Sequence, residues 1–313
     1  MYREKIKEML GIINKVILGR EAVIKEAVIA FLADGHILLE VAPGVGKTTL
    51  ALALSKVMDL ESRRVQFTPD VMPSELTGFS IYRKDIEKFV YKEGAVFCNL
   101  LLADELNRTS PKTQSALLEV MEEKQVSVEG VTRKVPEPFW VIATQNPFGA
   151  GTQRLPIPQM DRFIASMSLG YPSFESEMEI AEQVSWERKV DSIDPVIDRE
   201  TIFGIRKEIQ NVYIDDKVCE YIVKLVRATR DNPYIEMGAS PRGTIALVKL
   251  CKTTAWLNGR EFVTPNDVEE QFKYAIKHRI LLNSEGRLEN ISRTEVLTEI
   301  LNKTEKPLPG RGK

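Results

Sequence analysis

Apolar and polar positions in the first half of the chain fall into two alternating patterns. Short apolar runs, HILLEV (36–41), RRVQF (63–67), NLLLAD (99–104), FWVIAT (139–144) and IASMSL (164–169), read as strands. The third and fourth are apolar almost throughout, as expected of strands covered on both faces. Between them the period turns helical. Leu50, Leu54 and Val57 share one face of a helix from Thr48 to Val57, and Ser110-Pro111 opens another over KTQSALLEVMEE, with serine as cap and proline at the first helical position. Strands alternating with helices imply a parallel sheet with covering helices. After YPS (171–173) strand signals stop. ESEMEIAEQVSWERK, ETIFGIRKEIQ, DKVCEYIVKLVRATR, PRGTIALVKLCKTTAWLN and TPNDVEEQFKYAIKHRI are helical, and SIDPVID reads as a linker. The expectation is an α/β domain over residues 1–172 and a smaller all-α domain over 173–313, with a linker at about 190–198.

Composition narrows the class only a little. The 313 residues suffice for two cores, and 43% hydrophobic with 28% charged residues is ordinary for a globular protein. A net charge of -2 supplies no global basic field, so nucleic acid is not an expected partner. Cys98, Cys219 and Cys251 lie far apart and form no metal-ligand spacing, which suits a reducing compartment and buried packing roles. The opening MYREKIKEMLGIINKVILGRE places Ile6, Met9, Leu10 and Ile13 on one helical face and reads as an amphipathic helix rather than a signal peptide. No run reaches the roughly 18 apolar residues of a membrane span. The expected location is cytoplasmic.

The chemistry concentrates at strand ends. EVAPGVGKTTLA follows the first strand and opens a helix, and Val41–Thr48 matches the phosphate-loop pattern G-x-x-x-x-G-K-[ST] except for valine at its first position. Gly44 and Gly46 let the backbone curl so that successive N–H groups face an anion at a helix N-terminus. Lys47 can reach the β- and γ-phosphates of a nucleotide, and the Thr48 hydroxyl can ligate Mg²⁺. A β-compatible valine at the strand exit is sterically tolerable. NLLLADELNR ends an apolar strand in Asp104-Glu105, which would deliver two carboxylates to the same sheet edge. Asp104 is the candidate holder of Mg²⁺, and Glu105 the candidate that orients the attacking water. FWVIATQNP ends a third apolar strand at Asn146, placed for the attacking water or the γ-phosphate; a turn role before Pro147 fits that residue equally well.

With these segments in place the chain resembles the MoxR-type AAA+ ATPases. The likeness is carried by HILLEVAPGVGKTTLA, QFTPDVMPSELTG, VFCNLLLADELNRTSPKTQSALLEVMEE, VIATQNP, MDRF and GASPRGTIALVKLCKTTAW, in family order from residue 36 to about 256. It implies a P-loop NTPase (AAA+) core with a mainly parallel sheet, a helical lid, ATP and Mg²⁺ as ligands, and a homo-oligomeric ring, usually a hexamer. The loop residues Pro43, Gly44, Val45, Gly46, Lys47, Thr48 and Thr49 would hold the nucleotide, and Val16 to Gly19 would border the adenine. Asn146 matches sensor 1, and Arg242 in SPRG matches sensor 2, which reads the γ-phosphate in its own subunit. Arg162 in MDRF is the candidate arginine finger given to a neighbour, ahead of Arg108 and Arg154; a surface ion pair is its alternative role. Residues 78–95 and 126–136 match two family hairpins that would face the ring pore or a client. The resemblance implies a chaperone that remodels or matures protein complexes, working with a protein carrying a von Willebrand factor A domain. The alternative is a nucleic-acid motor, helicase-like or a restriction-type NTPase.

Overall fold

The two fully buried strands, β5 (Leu100–Asp104) and β8 (Trp140–Gln145), lie side by side within a five-stranded sheet. The architecture comes from a computed structural model that describes residues 1–41, 46–146, 155–170, 174–175, 177–178 and 190–307. With β1 (Ile37–Val41), β2 (Ser62–Gln66) and β9 (Ala165–Leu169), the strand order is β2-β5-β8-β1-β9. The pairs β2/β5, β5/β8 and β1/β8 are parallel. β2 sits at an edge, which explains a sequence as polar as SRRVQ in a strand.

Helices α1 (Tyr2–Val16), α2 (Glu21–Leu32) and α3 (Lys47–Val57) belong to the N-terminal part, and α1 packs on α3. The short α4 (Pro73–Thr77) precedes an antiparallel hairpin, β3 (Phe79–Arg83) with β4 (Lys88–Lys92). α5 (Pro111–Glu123) starts at Ser110, whose hydroxyl accepts from the Thr113 N–H at 3.2 Å. A second hairpin, β6 (Gln125–Val128) with β7 (Val131–Lys134), turns through Glu129-Gly130, both at positive φ (53° and 75°), the conformation of a two-residue type I′ turn.

The chain divides into two compact units. The first holds Met1–Ala27, His36–Leu155 and Met167–Ile202; the second holds Val28–Gly35, Pro156–Ser166 and Phe203–Lys313. The second unit contains the four-residue α6 (Ile157–Met160), then α7 (Arg199–Gln210, most of it), α8 (Asp216–Ala228), α9 (Pro241–Leu257), α10 (Pro265–Ile276), α11 (Ser284–Leu288) and α12 (Arg293–Lys303). α10 opens with a capping box in which Thr264 and Asp267 bond each other's backbone N–H. A short antiparallel ribbon, β10 (Ile235–Met237) against β11 (Leu281–Leu282), interrupts the helices. No sequence signal announces it, because so few residues carry no period.

Cys98 and Cys251 are buried, and burial pushes the Cys98 thiol up to about 12, so both are packing residues rather than nucleophiles. Among the described residues no helix is long and apolar enough to cross a membrane. Most of ESEMEIAEQVSWERK lies outside the described residues.

Candidate functional site

The parallel register brings three strand ends to one edge. Leu38 pairs with Ala143, which pairs with Ala103, so Val41, Asn146 and the Asp104-Glu105 step leave the sheet at neighbouring positions. The chain beyond β1 re-enters the described region at Gly46, the N-cap of α3. Its φ of 87° is left-handed backbone, the state that glycine adopts without strain. Among the described residues no heavy atom lies within 4 Å of a Cβ built there, so it is the backbone conformation that opposes substitution. Lys47, Thr48 and Thr49 form the first turn of α3, where backbone N–H groups lack helical acceptors and present a positive partial charge. Pro43, Gly44, Val45 and Arg154 lie outside the described residues.

The Lys47 ammonium meets Asp104 Oδ1 at 2.5 Å, joining the loop's lysine to the end of β5. Asp104 is 1% exposed and fully engaged. Thr144 on β8 donates its hydroxyl to Oδ1 at 2.8 Å, and Arg64 on β2 donates to Oδ2 at 2.8 Å. Burial alone pushes the Asp104 carboxyl up, but the donors on Lys47, Arg64 and Thr144 outweigh it and hold the group below the ordinary carboxylate value. A depressed folded value means that the stabilisation is complete above the ordinary value of 3.8 and disappears as the pH falls through the folded one. Asp104→Asn, which leaves Lys47 and Arg64 without their counter-charge, is therefore expected to melt below the parent protein at pH 7. The gap should narrow as the pH is taken under 3.8, a trend that urea melts at both pH values check. A gap independent of pH would contradict an ionised Asp104.

Glu105 follows in left-handed conformation (φ 57°), which turns the chain sharply out of the strand. Its N–H donates to the Thr144 hydroxyl at 2.9 Å, so one threonine fixes both acidic residues. Its carboxylate accepts from Gln66 at 2.9 Å and from Arg108 at 2.8 Å on the same oxygen, Oε2. Arg108, named above as a weaker finger candidate, is thus engaged with Glu105 of its own chain. Asn146 sits just past β8, where its carbonyl accepts from the buried Asn107 side chain at 3.2 Å. Lys47, Asp104, Glu105 and Asn146 all belong to the first unit. Gly19 does also; at φ 66° it ends the turn after α1, the helix packed on α3.

Arg64, Gln66 and Thr144 carry this geometry yet were not singled out in the sequence. Arg64 and Gln66 alternate along RRVQ on one side of an edge strand, and the register that pairs Gln66 with Asp104 lies nearly forty residues away. The two histidines are structural. His36 Nδ1 accepts from the Val141 N–H at 3.0 Å, and buried His278 contacts the Phe163 carbonyl at 2.9 Å.

Arg162 and Arg242 belong to the second unit. Arg242 lies in the first turn of α9, its N–H donating to the Ser240 cap at 3.0 Å. Arg162 follows α6 and is partly buried. Asp161 beside it pairs with Arg279 at 2.7 Å.

An oxygen-only set of one carboxylate and one hydroxyl, Asp104 and Thr48, is the chemistry that suits Mg²⁺ carried mainly by phosphate groups. Among the described residues no three His, Cys, Asp or Glu side chains cluster into a metal cage.

Residues 36–165 match the model for the ATPase family associated with various cellular activities (AAA), and residues 227–300 match the AAA lid domain. The chain is 42% identical over 312 residues to the protein YeaC of Bacillus subtilis, covering 98% of each. It is 34% identical over 299 residues to Chaperone MoxR1 of Mycobacterium tuberculosis, covering 92% of this chain and 79% of that protein. A crystal structure from Cytophaga hutchinsonii superposes with a TM-score of 0.91 at 40% identity, over 98% of this chain and 96% of that one.

Proposed function

Because this chain belongs to the MoxR-type AAA+ ATPases, we propose that it hydrolyses ATP with Mg²⁺ within a homo-oligomeric ring. We propose further that the cycle remodels or matures protein complexes alongside a protein carrying a von Willebrand factor A domain. The observation that carries the hydrolytic reading is the contact of Lys47 with Asp104 at 2.5 Å, with Glu105 next in the chain.

Phosphoryl transfer needs positioning and charge neutralisation more than covalent help. In this reading the first turn of α3 cradles the phosphates through Lys47, Thr48 and Thr49, with Gly46 and the loop residues before it. Lys47 exchanges its Asp104 partner for the β/γ-phosphate oxygens. Thr48 and Asp104 would hold Mg²⁺, which would neutralise charge on the triphosphate. Glu105 accepts the proton of the attacking water. Its Oε2 accepts from both Gln66 and Arg108, so water approaching that oxygen competes with them. Asn146 fixes the water or the γ-phosphate. Arg242 reads nucleotide from the second unit, and Arg162 serves the site of a neighbouring subunit.

The test is phosphate release from ATP with Mg²⁺ present and again after EDTA. Release is expected only with the metal, and stimulation is expected from a von Willebrand factor A domain protein rather than from DNA. No release under any condition would end the hydrolytic reading. DNA stimulation in place of protein stimulation would favour a nucleic-acid motor.

A further inference from the structure

Within the second unit the MDRF segment is held by Ser240, His278 and Arg279. Arg279, only 2% exposed, donates Nε to Asp161 Oδ1 at 2.7 Å and Nη2 to the carbonyls of Asp161 (3.1 Å) and Phe163 (2.7 Å). Its Nη1 reaches the Ile164 carbonyl at 3.3 Å, and neighbouring His278 holds the Phe163 carbonyl from its own ring at 2.9 Å. One guanidinium therefore engages the backbone on both sides of Arg162. The other oxygen of Asp161 accepts the Ser240 hydroxyl at 2.7 Å, and that hydroxyl in turn accepts the Arg242 N–H. Gly243 closes the arrangement: a Cβ there would stand 3.1 Å from Arg279 Cδ, so the first turn of α9 lies directly against the buried arginine. A single carboxylate thus adjoins Arg162 in sequence and caps, through serine, the helix end that carries Arg242.

We propose that Asp161, with Arg279 and Ser240, is a positioning element that makes Arg162 and Arg242 move as one body, so that nucleotide read by Arg242 in one subunit sets how Arg162 is offered to the next. The proposal rests on the sensor and finger roles given to those two arginines above. A buried, hydrogen-bonded ion pair suits the task because it has one low-energy geometry and is costly to break. Coupling of this kind is reciprocal: whatever shifts Arg162 at a neighbour's site must also shift nucleotide affinity at home.

The test is a mixing experiment. Asp161→Asn keeps the side chain's shape and loses its charge. Alone, it is expected to lose on the order of 10²-fold in kcat, the scale of a misplaced catalytic group, and to show a raised KM for ATP. Lys47→Ala subunits are then mixed in; they cannot use their own sites but supply a native Arg162. Turnover per Asp161→Asn site should recover by more than about tenfold, while its KM stays raised, because its own Arg242 is not replaced by any neighbour. Arg162→Ala, run in parallel, should recover with a KM below that of Asp161→Asn, because the helix end carrying Arg242 stays held by Ser240 and Asp161. If Arg162→Ala recovers and Asp161→Asn does not, or if the KM of Asp161→Asn returns to the parent value, the linkage is overturned while the finger reading stands. If neither recovers, the finger assignment fails and takes the linkage with it. Since Asp161→Asn strips a buried guanidinium of its counter-charge, Ser240→Ala is the second variant, leaving the Asp161–Arg279 pair intact. It should show the same split more weakly, and Ser240→Thr, which keeps the hydroxyl, should behave as the parent. Parent-like kcat and KM in Ser240→Ala would overturn the proposal.

Discussion

Arg162→Ala is expected to lower ATP turnover by about 10³–10⁵-fold, the value of a finger supplied from a neighbouring subunit. The reason is electrostatic. Negative charge spreads over the γ-phosphoryl oxygens in the transition state, and a guanidinium brought to a water-poor site stabilises it far more than in bulk solvent. The residue follows Asp161, whose pairing with buried Arg279 fixes the adjacent backbone, so the substitution should remove charge without loosening the fold. ATP affinity measured on isolated subunits should hold, because an isolated subunit has no neighbouring site for the finger to engage. Steady-state kcat, read beside equilibrium nucleotide binding, checks both halves. Turnover within a factor of two of the parent would remove Arg162 from the account, and a simple surface ion pair would then be its role.

Glu105→Gln is expected to bind ATP like the parent and turn it over about 10²–10⁴-fold more slowly, the usual contribution of a positioned general base. The substitution is close to isosteric. A glutamine oxygen can still accept from Gln66 and Arg108, and the backbone N–H bond to Thr144 does not involve the side chain. Only the ability to take a proton is removed, so the loss should fall on kcat and leave binding untouched. Parent-like turnover in this variant would show that another group activates the water, and the assignment of Glu105 would be withdrawn.

What could be read from the residues alone followed from how local each signal is. β5 and β8 were plain because burial on both faces leaves an unbroken apolar run, and α5 was plain because Ser110-Pro111 announces its start. Lys47, Asp104 and Glu105 were legible because a loop, a strand and a carboxylate pair each carry their own pattern over a few residues. The electrostatic setting of the two carboxylates was not. Arg64 and Gln66 matter only through a parallel register that places β2 against β5, and nothing in SRRVQ discloses it. The grouping of Pro156–Ser166 with the helices was equally hidden, since it depends on Arg279 meeting Asp161 across 118 positions of chain. The β10/β11 ribbon escaped because its strands are shorter than any period that could mark them.

All of the proposed chemistry depends on Lys47 and the turn it opens gripping a triphosphate. The direct measurement is a titration of the parent protein and of Lys47→Ala with ATP in the presence of Mg²⁺, followed by calorimetry or by a fluorescent nucleotide. Saturable binding by the parent that is lost in Lys47→Ala is the predicted result; a parent that binds no nucleotide, or a Lys47→Ala protein that binds it equally well, would contradict the account.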